Sequence, residues 1–305
     1  MDLVLAPDEC FTAERPRLVG LAYRLLGSLS DAEDVVQEAW VRWNRTDIDL
    51  LDSPAAWLTT VVSRLGIDRL RARRRQQSGY VGPWLPEPLV SYSVGDDPAD
   101  AAELSDSLST AFLVLLERLS PNERLVLLLA DVFGQPFSTV AGVIGKGESA
   151  TRQMAVRARR KVRADQELRP SAASPSRADQ LMVATQFVEA IMLGDEVRVR
   201  SLLSADVVLV SDGGADRHAA RRPVVGPDRV SRFLLNITRR FMTVRGHAID
   251  VQQRWINGSP GVVISFDGVP YWVAAFDVHD GRVQRFFATL NPDKLALVDR
   301  GVDLM

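Results

Sequence analysis

A chain of 305 residues exceeds the roughly 250 to 300 at which one hydrophobic core stops growing, so two or three domains are expected. With 46% apolar and 25% charged residues, the composition excludes wholesale disorder and a collagen-like or coiled-coil rod, and the apolar runs, such as residues 125–130, fall far short of the ~20 residues a membrane span needs. The net charge is −2, the single cysteine, Cys10, excludes an internal disulfide, and the opening MDLVLAPDEC lacks the basic start of a secretory signal, so a cytoplasmic protein without membrane contact is expected.

The charge is unevenly placed. Residues 64–75 hold six arginines against one acid, Asp68, and residues 146–163 hold seven basic residues against one acid, Glu148. Two such islands in a nearly neutral chain point to surfaces for a polyanion, although two solvated helix faces would give the same count. Because 34 of the 37 basic residues are arginine, part of the enrichment is compositional.

In chain order, residues 10–76 read as helices, since apolar residues recur at three- and four-residue spacing, with Gly27, Pro54 and Gly66 as punctuation. Residues 77–100, with four prolines and three glycines, read as a linker. The helical pattern returns over 100–165 and stops again near residue 170, in the proline- and serine-containing stretch QELRPSAASPSRAD. Beyond it the spacing predicts helices over 179–193 and 195–203, a strand over 207–210, a helix over 228–241, and strands near 243–256, 261–267, 270–278 and 282–289. Asn257-Gly258 and Asp280-Gly281 are the turn signals, and an α+β domain on an antiparallel sheet follows.

Three segments carry chemistry. In SLSDAEDVVQEAWVRWNR, Ser30 and Glu33 have the spacing of a capping box; Val35, Val36, Ala39, Trp40 and Trp43 then share one helical arc and Glu33, Asp34, Gln37 and Glu38 the opposite, acidic one. In SPAAWLTTVVSRLGIDRLRARRR, Asp68 can orient the arginines of its face while others meet phosphates, with Trp57 as either a base-stacking or a core residue. The segment FSTVAGVIGKGESATRQMAVRARRKVR reads as helix, Gly-Lys-Gly turn, helix, the outline of a helix-turn-helix. On its second helix Ala150, Thr151, Met154, Ala155, Ala158 and Val162 share the apolar arc. Ser149, Arg152, Gln153 and Arg157 can reach base edges, and Arg159, Arg160, Lys161 and Arg163 suit phosphates.

Taken in order, DAEDVVQEAWVRW, SPAAWLTTVVSRLGIDRLR and LERLSPNERLVLLLADVFGQPFSTVAGVIGKGESATRQMAVRARRKVR resemble the two-domain bacterial sigma factors of the extracytoplasmic-function group, over about residues 11–165. WLPEP at 84–88, the DGG at 212–214 and NPDKL at 291–295 further resemble the sigma-J type, which carries a fused SnoaL/NTF2-like cone domain. The resemblance implies two all-α sigma domains followed by an α+β domain: a region 2 domain over 8–77, a linker over 78–103, a region 4 helix-turn-helix domain over 104–166, a second linker over 167–177 and a regulatory domain over 178–305. It also implies an initiation subunit, not an enzyme, whose partners are core RNA polymerase and promoter DNA and which needs no cofactor or metal.

Carried over residue by residue, Asp31, Glu33, Asp34, Gln37 and Glu38 would dock on the clamp helices of the polymerase beta-prime subunit. Trp57, Arg64, Asp68, Arg69 and Arg71 would read and open the −10 element; many relatives carry Asn where this chain has Arg64, so their base preference does not transfer. Ser149, Ala150, Arg152, Gln153, Arg157 and Arg160 would read the −35 element. Trp84, Leu85, Pro86, Glu87, Asp212, Gly213, Gly214, Asn291, Pro292 and Asp293 would link the C-terminal domain to regulation, although the DGG here runs on as ADRHAA. The resemblance also implies an apolar pocket in the cone domain, with room for an unidentified small ligand.

Two other classes compete: a ligand-responsive DNA-binding regulator acting without polymerase, and a SnoaL-like isomerase or cyclase. For the second, Asp212, His247 and His279 are the candidate bases, yet Asp before Gly-Gly is more often a turn residue, and no Walker loop, GxSxG elbow or metal-spaced cluster appears.

Overall fold

The computed structural model describes residues 7–76, 80, 82–91, 108–166, 175–242 and 248–298, which fall into two compact units. The first is helical, combining residues up to 79 with 113–169; the second combines residues 80–112 with 170–302.

In the helical unit, α1 (Pro7–Leu26) buries Leu18, Leu21, Ala22, Leu25 and Leu26 at three- and four-residue spacing. It ends at Gly27, which takes a left-handed conformation. Ser28 is therefore the first residue able to adopt the extended conformation a cap requires, and its hydroxyl accepts from the Asp31 N–H at 3.2 Å. The expected cap, Ser30, instead lies inside the first turn of α2 (Leu29–Trp43), its hydroxyl 3.0 Å from that of Ser28. The apolar arc of α2 is as expected: Val35, Val36, Ala39 and Trp43 are buried, and Trp40 is half-buried against Phe11 at 4.7 Å. A short 3-10 turn, Ile48–Leu50, leads to α3 (Pro54–Gln76).

A second helical lobe follows: α4 (Thr110–Leu116), α5 (Pro121–Leu127) with a π-type turn after it (Leu128–Val132), α6 (Phe137–Ile144) and α7 (Glu148–Gln166). Ser120 and Glu123 form a reciprocal capping box around Pro121, which fixes the start of α5. On α7, Thr151, Met154, Ala155, Ala158 and Val162 are buried as expected, but Ala150 is exposed, because it lies at the edge of that arc.

Arginine joins the two lobes. Arg124, with 0% exposure, donates through Nε and Nη2 to the carbonyl of Arg24 near the end of α1, at 3.2 and 2.9 Å, and ion-pairs with Glu117. Arg73 of α3 bonds Glu117 at 3.2 Å and the Leu26 carbonyl, and Arg74 bonds the carbonyls of Glu117 and Leu119 at 3.2 and 2.6 Å. These guanidiniums satisfy carbonyls that helix ends leave without intrahelical partners.

The second unit contains α8 (Arg177–Leu193), α9 (Glu196–Ser201) and α10 (Pro227–Met242) against a seven-stranded sheet in the order β1-β4-β5-β6-β7-β2-β3. The strands are β1 (Val90–Ser91), β2 (Leu203–Asp212), β3 (Val224–Val225), β4 (Ile249–Ile256), β5 (Ser259–Phe266), β6 (Val269–His279) and β7 (Arg282–Thr289). Turns at Asn257-Gly258, Asp267-Gly268 and Asp280-Gly281, all at positive φ, join β4 to β7 as antiparallel hairpins.

Two features depart from the expected antiparallel sheet. The strand expected over 207–210 extends through Leu203–Asp212 and pairs with β7 in parallel, the connection between them running through β3, α10 and the β4–β6 hairpins. And β1, from the stretch read as a linker, pairs with β4. The core is aromatic, with Phe187, Phe276 and Phe286 at ring separations of 5.2 to 6.3 Å.

Burial pushes the Glu117 carboxyl up, but Arg124 and Arg73 outweigh it and hold it below the ordinary 4.5. A carboxylate depressed on folding contributes stability above its unfolded value and loses it as pH falls through its folded value. The resistance of the helical unit to urea should therefore fall as pH drops below about 4.5. Glu117→Gln should lower stability at neutral pH and flatten this acid limb; an unchanged limb would refute the assignment.

Candidate functional site

The acidic face of α2 presents Glu33, Asp34, Gln37 and Glu38 to solvent, with Asp31 half-buried beside them. Arg69 of α3 reaches across to this face and bonds Asp31 at 2.9 Å and Asp34 at 3.0 Å, and Arg42 bonds Glu38 at 2.6 Å. The Arg69 pKa is raised, first by the hydrogen bond to Asp31. Arg69, expected among the −10 readers, thus sits with the acids of α2 and offsets part of their charge.

The other residues expected at −10 are also engaged. Trp57 is half-buried with its ring 5.8 Å from that of Trp43. Arg64 donates to the carbonyls of Gly142 and Val143 at the end of α6, at 3.1 and 3.5 Å. Arg71 bonds Asp68 at 3.1 Å and Asn122 of the second lobe at 3.0 Å.

On α7, Ser149, Ala150, Arg152, Gln153, Arg157 and Arg160 are all exposed. Arg152 pairs with Glu148 at 2.5 Å and stacks over Phe137 at 4.7 Å. Val156, 52% exposed, lies amid this polar face and was missed by the sequence reading; its spacing from Gln153 and Arg160 would have revealed it. Of the residues expected to grip phosphates, Arg159 is bound bidentately by Asp131 at 2.5 and 2.8 Å, and Lys161 is bound by Glu123 at 2.8 Å. Both therefore tie α7 to its own lobe, while Arg160 and Arg163 face solvent.

The second unit holds a buried polar clasp. Parallel pairing sets Asp212, the last residue of β2, beside Thr289 of β7, and the N–H groups of Leu290 and Asn291 donate to the Asp212 carbonyl at 2.7 and 3.1 Å. The Asn291 side chain caps the helical turn α11 (Pro292–Leu295), which places Lys294 at the same point. The Asp212 carboxylate, with 0% exposure, accepts from Lys294 Nζ at 2.7 Å, the Leu85 N–H at 2.8 Å, the Gly214 N–H at 3.0 Å and the Tyr80 hydroxyl. Lys294 also bonds the Leu85 carbonyl and lies 3.9 Å from the Trp84 ring centroid. Asn291 Nδ2 donates to the Tyr80 hydroxyl at 3.1 Å. Burial and the neighbouring Asp212 push the Tyr80 phenol up, so it remains a donor.

Beyond Asp212 both glycines are required. A Cβ on Gly213 would stand 2.3 Å from the Arg217 carbonyl oxygen, and one on Gly214, at φ +62°, would stand 2.7 Å from the Asn291 side chain. The stretch ADRHAA closes onto the sheet, with Arg217 stacked over Tyr271 at 3.8 Å and the Ala220 N–H donating to Ser211 at 2.8 Å. Leu85, Pro86 and Pro88 are buried and Glu87 is half-buried. Leu89 exchanges hydrogen bonds with Asn257, at 3.2 and 2.9 Å. Tyr80 and Lys294 are the members that sequence reasoning omitted, although Lys294 stands within NPDKL.

An apolar cleft lies elsewhere in this unit, between α8, α10 and the sheet, and Asp212 does not line it. His279 pairs with Asp277 at 3.0 Å beside the last hairpin turn, and His247 lies outside the described residues. Among the described residues no acid or histidine lines the cleft, no cluster could hold a metal ion, and no helix is long and apolar enough to cross a membrane.

Two helical lobes with an acidic helix, an arginine-rich helix and a helix-turn-helix, joined in one chain to an α+β unit, define a transcription initiation factor. Residues 10–76 match Sigma-70 region 2 and residues 109–162 match Sigma-70, region 4. ECF RNA polymerase sigma factor SigJ of Mycobacterium tuberculosis is 39% identical over 93% of this chain and 91% of its own length. SigG of the same organism is 32% identical over 64% of this chain and 58% of its own length. The crystal structure of Mycobacterium tuberculosis SigJ superposes with a TM-score of 0.74 at 37% identity, covering 97% of this chain and 99% of that one. The chain belongs to the ECF RNA polymerase sigma factors, which direct promoter-specific transcription initiation and are not enzymes.

Removing one partner of a buried ion pair strands the other, at a cost of about 3 to 5 kcal/mol. Asp212→Ala should therefore lower the unfolding free energy of the second unit by about 3 kcal/mol in urea, and Tyr80 fluorescence should report release of residues 80–91 in the same transition. A loss under about 1 kcal/mol would show that the carboxylate does not hold the clasp.

Proposed function

We propose that the described arrangement is a closed state, and that promoter recognition requires the two helical lobes to part. The observation that carries this is the seating of Arg64 on the carbonyls of Gly142 and Val143. Ser149 follows Val143 by six residues, so the −10 and −35 readers lie within about 21 Å along even a fully extended chain. The two promoter elements are separated by roughly 80 Å of duplex at about 3.4 Å per base pair. A unit closed in this way does not span both.

On opening, Arg64 and Arg71 become available to the −10 strand, while Trp57 and Asp68 shape that surface. Asp31, Glu33, Asp34, Gln37 and Glu38 dock on the clamp helices of the beta-prime subunit, with Arg69 tempering their charge. On α7, Gln153, Val156 and Arg157 read base edges, Val156 suiting a thymine methyl, and Arg160 and Arg163 hold phosphates. Residues 8–77 and 104–166 act as the two promoter-binding domains. Residues 178–305 act as the regulatory domain, clasped to the WLPEP segment through Asp212, Asn291 and Lys294, with its apolar cleft taking a small ligand as input. The work is done in the cytoplasm, where core polymerase is found.

Run-off transcription with purified core polymerase on fragments selected from a genomic library tests this reading. Wild-type protein should give promoter-dependent transcripts, Glu33→Arg should weaken core binding at least tenfold, and Arg157→Ala should cost about 1 to 3 kcal/mol of discrimination at one −35 position. Duplex binding to a palindromic site as a dimer, with no transcript from any fragment, would favour the stand-alone regulator instead.

A further inference from the structure

We infer that the cleft between α8, α10 and the sheet binds a small, neutral, largely hydrocarbon molecule carrying one hydrogen-bond acceptor. The inference rests on reading the cleft as a ligand input, and does not depend on the sigma activity.

The cleft is narrow and open at its mouth. Its walls include Val188 and Ile191 of α8, Val251 of β4 and Phe276 of β6, and among the described residues no charged side chain lines it. An ion would lose its hydration there with nothing to replace it, so a charged ligand is excluded. Met192 and Met242, 39% and 52% exposed, are the lining residues most open to solvent and so mark the mouth. Their unbranched side chains can fit themselves to an entering molecule.

The specific signal is Trp272. It lines the cleft, is 7% exposed, and its buried indole N–H has no hydrogen-bond partner. Folded proteins seldom bury a donor unsatisfied, and each exception calls for an explanation. The ring is held between Phe241 and Phe286, with centroids 6.0 and 6.1 Å away, so the N–H direction is set before any ligand arrives. The Thr238 hydroxyl is the other polar group of the lining able to donate. A carbonyl or ether oxygen at the end of an apolar body satisfies such a site; a hydrocarbon of the same shape fills it but leaves the indole unpaired.

The matched probes are 2-acetylnaphthalene and 2-isopropylnaphthalene, which share shape and differ in the acceptor. Titrating each into the 15N-labelled full chain, the ketone should move the Trp272 indole N–H resonance downfield and bind at least threefold tighter than the hydrocarbon. Trp272→Phe keeps an aromatic side chain and removes the donor, so it should erase the ketone's advantage over the hydrocarbon. The proposal is overturned if the ketone leaves that resonance unmoved, if both probes bind equally to wild-type protein, or if the advantage survives in Trp272→Phe. Should that variant fail to fold, the wild-type affinity ratio and the indole shift decide alone. Run-off transcription with and without the ketone reads regulation separately: unchanged transcripts alongside intact ketone binding would count against the regulatory reading and not against the site.

Discussion

A carboxylate with no exposed surface must be surrounded by donors, and the donors that answer Asp212 come from three distant parts of the chain: Tyr80 and Leu85, Gly214, and Lys294. This requirement organises the second unit. It explains why β2 ends where it does, since parallel pairing with β7 delivers Asp212 to the start of NPDKL. It also explains two glycines in succession, because the loop must turn at once beneath Asn291 to return the Gly214 N–H to the same carboxylate. Removing Asp212 would leave Lys294 buried with its charge unanswered, so the clasp is built to hold as a whole.

The helical unit solves a related problem with arginine. Helix ends leave carbonyls without partners, and here the guanidiniums of Arg64, Arg73, Arg74 and Arg124 supply donors to them across the boundary between the lobes. The planar fork can reach two acceptors at once, as Arg74 and Arg64 do; the single ammonium of lysine is a poorer match. The same residues that suit a phosphate therefore suit a helix end, and one surface can exchange one set of oxygens for the other.

Much of this was legible in the sequence. Periodicity located the helices, and the Asn257-Gly258 and Asp280-Gly281 turns located the hairpins, because a two-residue turn leaves a local signature. The three helical motifs and the WLPEP, DGG and NPDKL elements were likewise readable. The cap of α2 was misplaced by two residues because Ser28 and Ser30 are chemically equivalent in the sequence, and only the left-handed Gly27 decides between them. The partners of Arg64 and Arg69, the parallel β2–β7 pair and the membership of Tyr80 were not legible, since each joins residues tens to hundreds of positions apart. The pairing of Arg159 with Asp131 and of Lys161 with Glu123 was not legible for the same reason, since both acids belong to the preceding helical hairpin.

The short strand β1 lies at the margin of the sheet, where it covers the end of β4 at Trp255 and Ile256. An uncovered strand margin is a template for joining another chain, and soluble proteins keep such margins blocked. A C-terminal domain expressed from residue 178 onward would lack that cover, and would also lack Tyr80, Trp84 and Leu85 around Asp212 and Lys294. Such a fragment would be prone to self-association by strand addition. The piece able to stay soluble by itself is therefore one that retains the WLPEP segment, even though residues 113–169 of the other unit lie between the two in the chain.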